Sequence, residues 1–347
     1  MEAIISDISA LAYWRNHSYD LAGVFAPRNV EPKRRGVPPV GPLSKAMVDD
    51  LAGWRLVDRT DAHLLVTSKN DAHLIQGVTC QVCSSALPTG SLVRALGSYY
   101  VVAPELLFIQ LASHLSLGEL LMVGYEFCGT YRLADEGPVY GLDPLTSVLK
   151  LKAYTQRAKR LRGRQKAEQA IQWLADGSGS PAETALAIMF KLPYRHGGYG
   201  LGNFRLNQRI SLNETGARIL GRYSLRPDLF YPEPQHPVEY DGKLYHSSKE
   251  QADYDERRRN AYAAMGMAVT VITSRHLCNI DLLDEMAAIV RKNTGSRLNK
   301  LPSDYGLRHY NLFNEVCAYW TELKSANPTQ EEYVLMASQY SEPKQPW

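Results

Sequence analysis

Three carboxylates stand close together in one short stretch of this 347-residue chain: Asp228, Glu239 and Asp241. They fall within two β-like runs, 226–230 and 237–241, which are separated by the proline-rich connector YPEPQ. Such a connector cannot supply ladder hydrogen bonds of its own, so the pattern predicts a β-hairpin. If the hairpin is symmetric, Asp228 faces Glu239 across it, and Asp241, two residues further on, shares the same face.

This arrangement predicts a metal site. Carboxylates that converge on one face repel each other unless something positive lies between them. A hard divalent cation fits best, because oxygen-only ligands suit Mg²⁺ or Mn²⁺. The alternative is an exposed hairpin whose acids are only solvated. The metal site is favoured because Val238, Tyr240 and Gly242 interleave with the acids and His246 follows them.

Helices and strands on both sides of the hairpin complete the pattern. A Ser-Pro-x-Glu start predicts a helix over 181–192, and a strand is expected at about 208–213. After the hairpin, a Ser-x-x-Glu capping box predicts a helix over 248–265, and a largely apolar run predicts a buried strand over 267–273. The predicted order of this part of the chain is therefore αβββαβ.

These residues together resemble a known family. The runs RPDL, VEYDG with a histidine four residues later, DERRRN and GMAVTVIT are similar to those of the PD-(D/E)XK nuclease superfamily, in its bacterial branch related to very-short-patch-repair endonucleases. The resemblance covers about residues 178–295, and VAPELLFIQLA and GYEFCGTYR extend it into the N-terminal half. It implies an N-terminal α+β domain followed by a restriction-endonuclease-like αβββαβ core. Some of these relatives are associated with abortive infection and toxin–antitoxin systems.

The resemblance also assigns catalytic roles. It makes Asp228 the central metal ligand and Glu239 its partner. Glu183 matches the acidic residue of the first core helix, which can reach the metal through a water molecule. A second interpretation of Glu183 stays open, because the same carboxylate completes a capping box with Ser180 at the start of that helix.

The superfamily's lysine is missing. It should lie two residues after Glu239, where this chain has Asp241. Lys243 or Lys249 could supply the positive charge from a shifted position. His246 could orient a water or protonate the leaving oxygen, since its reference pKa is near neutral. The alternative for His246 is a surface residue at the entrance of the helix.

Arginines near the carboxylates are candidate phosphate contacts. Arg226 and Arg258 are chosen because a guanidinium pairs with phosphate in a fork geometry. The alternative for each is an ordinary surface ion pair. We prefer that alternative for Arg257, which has Asp253 one helical turn earlier.

A basic segment precedes the nuclease-like part. Residues 150–166 hold eight basic side chains and no acid: Lys150, Lys152, Arg157, Lys159, Arg160, Arg162, Arg164 and Lys166. Such a run is typical of a surface that follows a nucleic-acid backbone without reading its sequence. We expect Lys159, Arg160, Arg162 and Arg164 to make these contacts, the alternative being a solvated linker helix.

The length of the chain predicts two domains. Residues 1–148 are expected to form an α+β domain, 149–177 a basic linker helix, 178–295 the nuclease-like domain, and 296–347 a C-terminal helix and tail. The composition is 45% hydrophobic and 22% charged, with a formal net charge of +3, and it gives no sign of disorder. No apolar stretch near the N-terminus is long enough for a signal or membrane helix, so a cytoplasmic protein is expected.

The five cysteines are scattered and argue against a secreted disulfide framework. Cys80 and Cys83 have the spacing of zinc and redox motifs. The sequence holds no second such pair, however, and strand spacing over 77–83 sets the two thiols on opposite faces. We interpret both as structural and reduced.

The expected function is that of a metal-dependent endonuclease that hydrolyses phosphodiester bonds in DNA with Mg²⁺ or Mn²⁺, in phage defence or DNA repair. DNA is preferred to RNA as the substrate, and a protein partner or a homodimer is also expected, but no membrane. The alternative is a catalytically inactive nuclease-fold protein that binds DNA as a regulator or an antitoxin.

Overall fold

The computed structural model describes residues 3–17, 42–242 and 249–325. The chain is a mixed α/β protein, as predicted, and it divides into two compact units between Leu174 and Ala175. This boundary falls inside the stretch 149–177 that was expected to be a linker helix. None of the helices in the described ranges is long and apolar enough to cross a membrane.

The first unit is built on a five-stranded mixed sheet. Its elements are β1 (Ile4–Ile5), α1 (Asp7–His17), α2 (Lys45–Gly53), β2 (Ala62–Val66), β3 (Val78–Val82), β4 (Leu92–Leu96), β5 (Tyr99–Val102), α3 (Pro104–Leu111), α4 (Leu117–Cys128), β6 (Tyr131–Ala134), β7 (Gly137–Tyr140), α5 (Val148–Arg157) and α6 (Arg164–Ile171). The strand order is β3-β2-β1-β5-β4, and α1 packs against β2, β5 and α3.

The basic segment belongs to this first unit. It forms α5, a turn through Gly163 and then α6, rather than one linker helix. Gly163 has a φ of +86°, and a Cβ there would clash with the carbonyl oxygen of Ile109, so the turn requires glycine. α5 packs against α3, and α6 packs against both α3 and α4. The basic side chains are therefore carried on a folded surface.

The second unit contains the predicted hairpin. Its elements are α7 (Pro181–Lys191), β8 (Arg205–Leu206), β9 (Ile210–Ser211), α8 (Glu214–Leu220), β10 (Ser224–Leu225), β11 (Leu229–Tyr231), β12 (His236–Asp241), α9 (Lys249–Ala264), β13 (Thr270–Thr273), α10 (Ser274–Leu277), α11 (Ile280–Thr294) and α12 (Tyr305–Ser325). A four-stranded sheet has the order β13-β12-β11-β8. Its strands are antiparallel except that β12 and β13 are parallel.

The register of the hairpin is the predicted one. Leu229 pairs with Val238, and Phe230 pairs with Pro237. Continuing the register by one residue sets Asp228 opposite Glu239. A single-residue slip would turn every side chain to the other face of the sheet, so this register decides which acids can meet.

The strand before the hairpin differs from the prediction. The strand expected at 208–213 is not part of the four-stranded sheet, because Ile210–Ser211 pairs with β10 in a separate two-stranded sheet. The sheet is extended instead by β8. Apolar packing explains why β9 pairs with β10 outside the main sheet, because β9, α8 and β10 bury side chains against α9. This cluster comprises Ile210, Leu220, Leu225, Phe230, Ala261, Tyr262 and Met267.

The C-terminal helix is an integral part of the second unit. It was predicted within 296–347 and is found as α12, which begins at Tyr305. α12 packs against α7 and against the short 3₁₀ turn Tyr194–His196. It therefore supports the helix that carries Glu183.

Candidate active site

The two facing carboxylates lie at the edge of the hairpin. Asp228 immediately precedes β11, and Glu239 lies within β12. The backbone N–H of Tyr240 donates a hydrogen bond of 2.6 Å to Oδ2 of Asp228. This bond crosses from one strand to the other, so it fixes the carboxylate of Asp228 beside the backbone that carries Glu239. The predicted proximity of these two residues is therefore found.

Glu239 is held by two side chains of α9. Its side chain is buried, with the whole residue only 8% exposed. Nη2 of Arg258 lies 2.7 Å from Oε1 and 2.8 Å from Oε2, and the hydroxyl of Tyr262 donates a short hydrogen bond to Oε1. Arg258 and Tyr262 are one helical turn apart, so one face of α9 provides both contacts.

Glu183 lies in the first turn of α7, and its carboxylate is hydrogen-bonded to residues outside that helix. Its Oε2 accepts hydrogen bonds from the N–H of Gly179 at 2.9 Å and from Nδ2 of Asn207 at 2.7 Å. Ser180 caps the helix by accepting from the N–H of Glu183 at 3.1 Å. In a capping box the carboxylate of Glu183 would accept from the N–H of Ser180, but here it accepts from the N–H of Gly179. The helix cap is therefore formed, and the carboxylate also acts on Asp228 by its charge.

The charges of Asp228, Glu239 and Glu183 affect one another's ionisation. Burial raises the pKa of Asp228 well above its ordinary value, and the charges of Glu183 and Glu239 raise it further. The N–H of Tyr240 and the guanidinium of Arg258 act in the opposite direction. Burial also raises the pKa of Glu239, although Arg258 lowers it in part. The site thus disfavours full ionisation until more positive charge is supplied.

Asp241 lies further along β12 than Glu239. It ends β12, where it pairs with Thr273 of β13. The carboxylates that raise the pKa of Asp228 by their charge are Glu183 and Glu239. Asp241 shares a face with Glu239, but it lies two residues along the strand, roughly 7 Å away. The geometry therefore brings Asp228 and Glu239 together, and Asp241 as a third ligand stays a prediction.

The remaining donors fit a hard divalent cation in kind. Within the ranges that the structure describes, no three His, Cys, Asp or Glu side chains form a group that could hold a metal ion. Magnesium, however, keeps several waters and is commonly bound through one or two carboxylates together with substrate phosphate. Asp228 and Glu239 supply such a pair, and Oδ1 of Asp228 makes no hydrogen bond to the described residues. Two of the expected helpers, Lys243 and His246, lie outside the described residues.

The arginines divide into two kinds. Arg258 was expected to contact phosphate, but its guanidinium is turned to Glu239 and also donates to the carbonyl of Arg226 at 2.8 Å. The side chain of Arg226 is exposed. Arg257 lies 4.0 Å from Asp253, which agrees with the surface ion pair preferred from the sequence.

The basic segment presents three exposed side chains, those of Lys159, Arg160 and Arg162. Arg164 differs, because its Nη2 pairs with Glu168 at 3.2 Å and its Nε donates to the carbonyl of Thr155. Of the four residues expected to bind nucleic acid, Arg164 is therefore partly neutralised within the chain.

Two members of the site were not foreseen as such. The sequence gives Tyr262 no catalytic role, yet its hydroxyl donates a hydrogen bond to Glu239. Its spacing of four residues from Arg258 is the signal that it shares that helix face. Asn207 has a φ of +46°, in the left-handed region that asparagine tolerates, and this conformation accompanies its contact with Glu183. No sequence pattern indicates that contact.

Comparisons of the chain with protein-family models, with curated proteins and with solved structures find no match in any of the three. The function is therefore inferred from the geometry of the site.

Proposed function

We propose that this chain is a metal-dependent nuclease whose catalytic centre is the pair Asp228 and Glu239. The observation that carries the proposal is their placement on facing positions of the hairpin, with Glu183 acting on both through its charge. With β9, α8 and β10 set aside as an insertion between β8 and β11, the order α7, β8, β11, β12, α9, β13 supports it, because it is the αβββαβ order expected of a restriction-endonuclease-like core.

The chain's own residues prepare the carboxylates. Arg258 and Tyr262 orient Glu239, and the guanidinium favours its ionised form. The N–H of Tyr240 orients Asp228 through Oδ2, and Oδ1 makes no hydrogen bond to the described residues. Since burial and the neighbouring acids raise the pKa of Asp228, this residue must lose its proton before it can bind a cation.

A divalent cation held by Asp228 and Glu239 would lower the pKa of a bound water and stabilise charge on the phosphate. Glu183 lies where its charge acts on both ligands, and it is the candidate to orient the attacking water. The exposed guanidinium of Arg226 is the candidate phosphate contact beside them.

DNA and RNA are distinguished by experiment. The full chain is incubated with labelled single-stranded DNA, double-stranded DNA and RNA in the presence of Mg²⁺, Mn²⁺ or EDTA. We expect cleavage with either metal and none with EDTA, with DNA as the better substrate. If the chain cuts none of the three polymers with either metal, the proposed nuclease function is contradicted.

One observation favours a second function. Both oxygens of Glu239 already have partners in Arg258 and Tyr262, so the site is closed without a metal. A protein that keeps this fold and binds DNA without cutting it, as a regulator or antitoxin, would have this arrangement. Binding of the same polymers without metal-dependent cleavage would favour this function.

The basic segment gives a prediction for either function. The affinity for nucleic acid falls as the salt concentration rises. Replacing both Lys159 and Arg160 by glutamine should make the slope of log affinity against log salt concentration less steep by about 2, because two exposed cations no longer displace counterions. Arg164→Gln is the matched control, since Arg164 is already paired with Glu168. Affinity is measured by fluorescence anisotropy over a range of salt concentrations. An unchanged slope in the double variant would exclude these two side chains from the binding surface.

A further inference from the structure

A cavity of about 320 Å³ lies in the first unit beside β3 and α3. Its volume falls at the lower end of the range for small-molecule sites, about 300–1,000 Å³. Aliphatic side chains form much of its wall, including Leu65, Leu106, Ile109 and Leu161. Cys80 and Cys83 both line it, whereas strand spacing had placed their thiols on opposite faces. Cys83 follows the last residue of β3, so the strand alternation no longer applies to it.

Two amide side chains of the wall are fixed in place. Nε2 of Gln81 donates to Oδ2 of Asp7, Nε2 of Gln110 donates to Oε1 of Gln81 at 3.1 Å, and the N–H of Asp7 donates to Oε1 of Gln110 at 3.3 Å. Asp7 is only 4% exposed. An amide nitrogen has two N–H donors, so each glutamine keeps one donor beyond this network. The cavity therefore has an apolar wall and preoriented polar groups, as ligand sites do.

Basic side chains line the neighbouring cavity, of about 370 Å³. The two cavities share Ser113, Leu161 and Arg162, and the second is also lined by Arg164 and Lys166. No aspartate or glutamate lines either cavity among the described residues. Arg162 is exposed and makes no ion pair within the part of the chain that the structure describes. It is therefore free to bind an anion where the cavities join.

We propose that the joined cavities bind a nucleoside phosphate. The base would lie in the first cavity against the aliphatic wall, where Gln81 and Gln110 offer amide donors to acceptor atoms on its edge, such as N7 of a purine. The phosphate would pair with the guanidinium of Arg162 in the fork geometry that arginine provides. This site lies in the first unit and does not depend on the carboxylate pair of the second.

Two sources can supply this chemistry: a free mononucleotide, or one unpaired nucleotide of a strand. Binding of AMP, GMP, CMP and UMP, and of adenosine without phosphate, is measured by isothermal titration calorimetry on the full chain. The same proteins are titrated with a short single strand. We expect at least one mononucleotide to bind at least tenfold more tightly than adenosine, if the ligand is a free nucleotide.

Two variants test the location. Arg162→Gln removes the phosphate partner, and Val82→Phe fills the cavity from a position that is 44% exposed and tolerates a larger side chain. Each should weaken nucleotide binding about tenfold or more, whereas Arg94→Gln, an exposed arginine outside both cavities, should not. If only the strand binds and both variants weaken it, the strand is the source. If neither variant weakens binding of any nucleotide or strand, or if nothing binds, the proposal is overturned.

Discussion

Replacing Arg258 by methionine is expected to lower the free energy of unfolding by about 3–5 kcal/mol, because it leaves the carboxylate of Glu239 buried without its counter-charge. Glu239 is 8% exposed, and Arg258 Nη2 is 2.7 Å from it. Methionine keeps most of the length and apolar character of the arginine stem, so the loss of stability measures the effect of removing the positive charge. Urea unfolding followed by circular dichroism measures it.

The chain offers a matched control on the preceding residue. Arg257→Met also removes a guanidinium from α9, but its partner Asp253 is exposed and 4.0 Å away, so the change should stay within about 0.5 kcal/mol. The Arg258→Met defect should shrink as the pH falls. Without Arg258 the pKa of Glu239 in the folded state rises further above the unfolded value, so the folded state gains stability from protonation in acid and loses it as the pH rises. Equal effects of the two methionine variants would contradict the buried ion pair.

Asp228→Asn is expected to raise the free energy of unfolding by about 0.5–2 kcal/mol at pH 8 while removing metal binding. Burial and the neighbouring acids raise the pKa of Asp228 in the folded state above its unfolded value, so ionisation of this carboxyl costs stability. Asparagine has nearly the same shape and can still accept the hydrogen bond from the N–H of Tyr240. Thermal unfolding with and without Mg²⁺ measures both effects.

The sign of the pH dependence follows from the direction of that shift. Asp228 stabilises the folded state most below its unfolded pKa, where it is protonated, and this contribution is lost as the pH rises through the folded pKa. The advantage of Asp228→Asn should therefore be largest at pH 8 and should disappear in acid. Mg²⁺ at about 100 times its dissociation constant should add about 2.7 kcal/mol to the wild type and nothing to the variant.

Asp241→Asn is the control for this experiment. Asp241 ends the strand that carries Glu239, whereas the charges that raise the pKa of Asp228 are those of Glu183 and Glu239. We expect Asp241→Asn to leave the pH dependence of stability and the response to Mg²⁺ unchanged. A wild type that gains no stability from Mg²⁺ at pH 8, or a variant that gains as much, would contradict a metal site at Asp228.

The facing of Asp228 and Glu239 could be predicted because it depends only on local rules. The strand period of two and the length of the connector fix the register, and the observed pairs Leu229–Val238 and Phe230–Pro237 follow that register. The start of α7 could be predicted for the same reason, since Pro181 and the serine cap before it act within one turn.

The surroundings of Glu239 could not be predicted, because they depend on tertiary packing. α9 is highly polar, and its sequence does not show which face turns to the sheet. Burial of Ala261 and Tyr262 in the cluster with β9, α8 and β10 decides that orientation, and it brings Arg258 to Glu239. The same cluster draws 210–211 out of the main sheet, which is why the strand expected at 208–213 was misplaced.

Single-turnover cleavage of a labelled DNA strand by metal-stripped wild type and Asp228→Asn, after Mg²⁺ is added back, tests the carboxylate centre most directly. We predict that the wild type regains cleavage and that the variant is slower by roughly 10³-fold, about 4 kcal/mol of transition-state stabilisation, while it still binds the strand. Equal rates for the two proteins, or a wild type that binds the strand and does not cut it, would contradict a catalytic centre at Asp228 and Glu239.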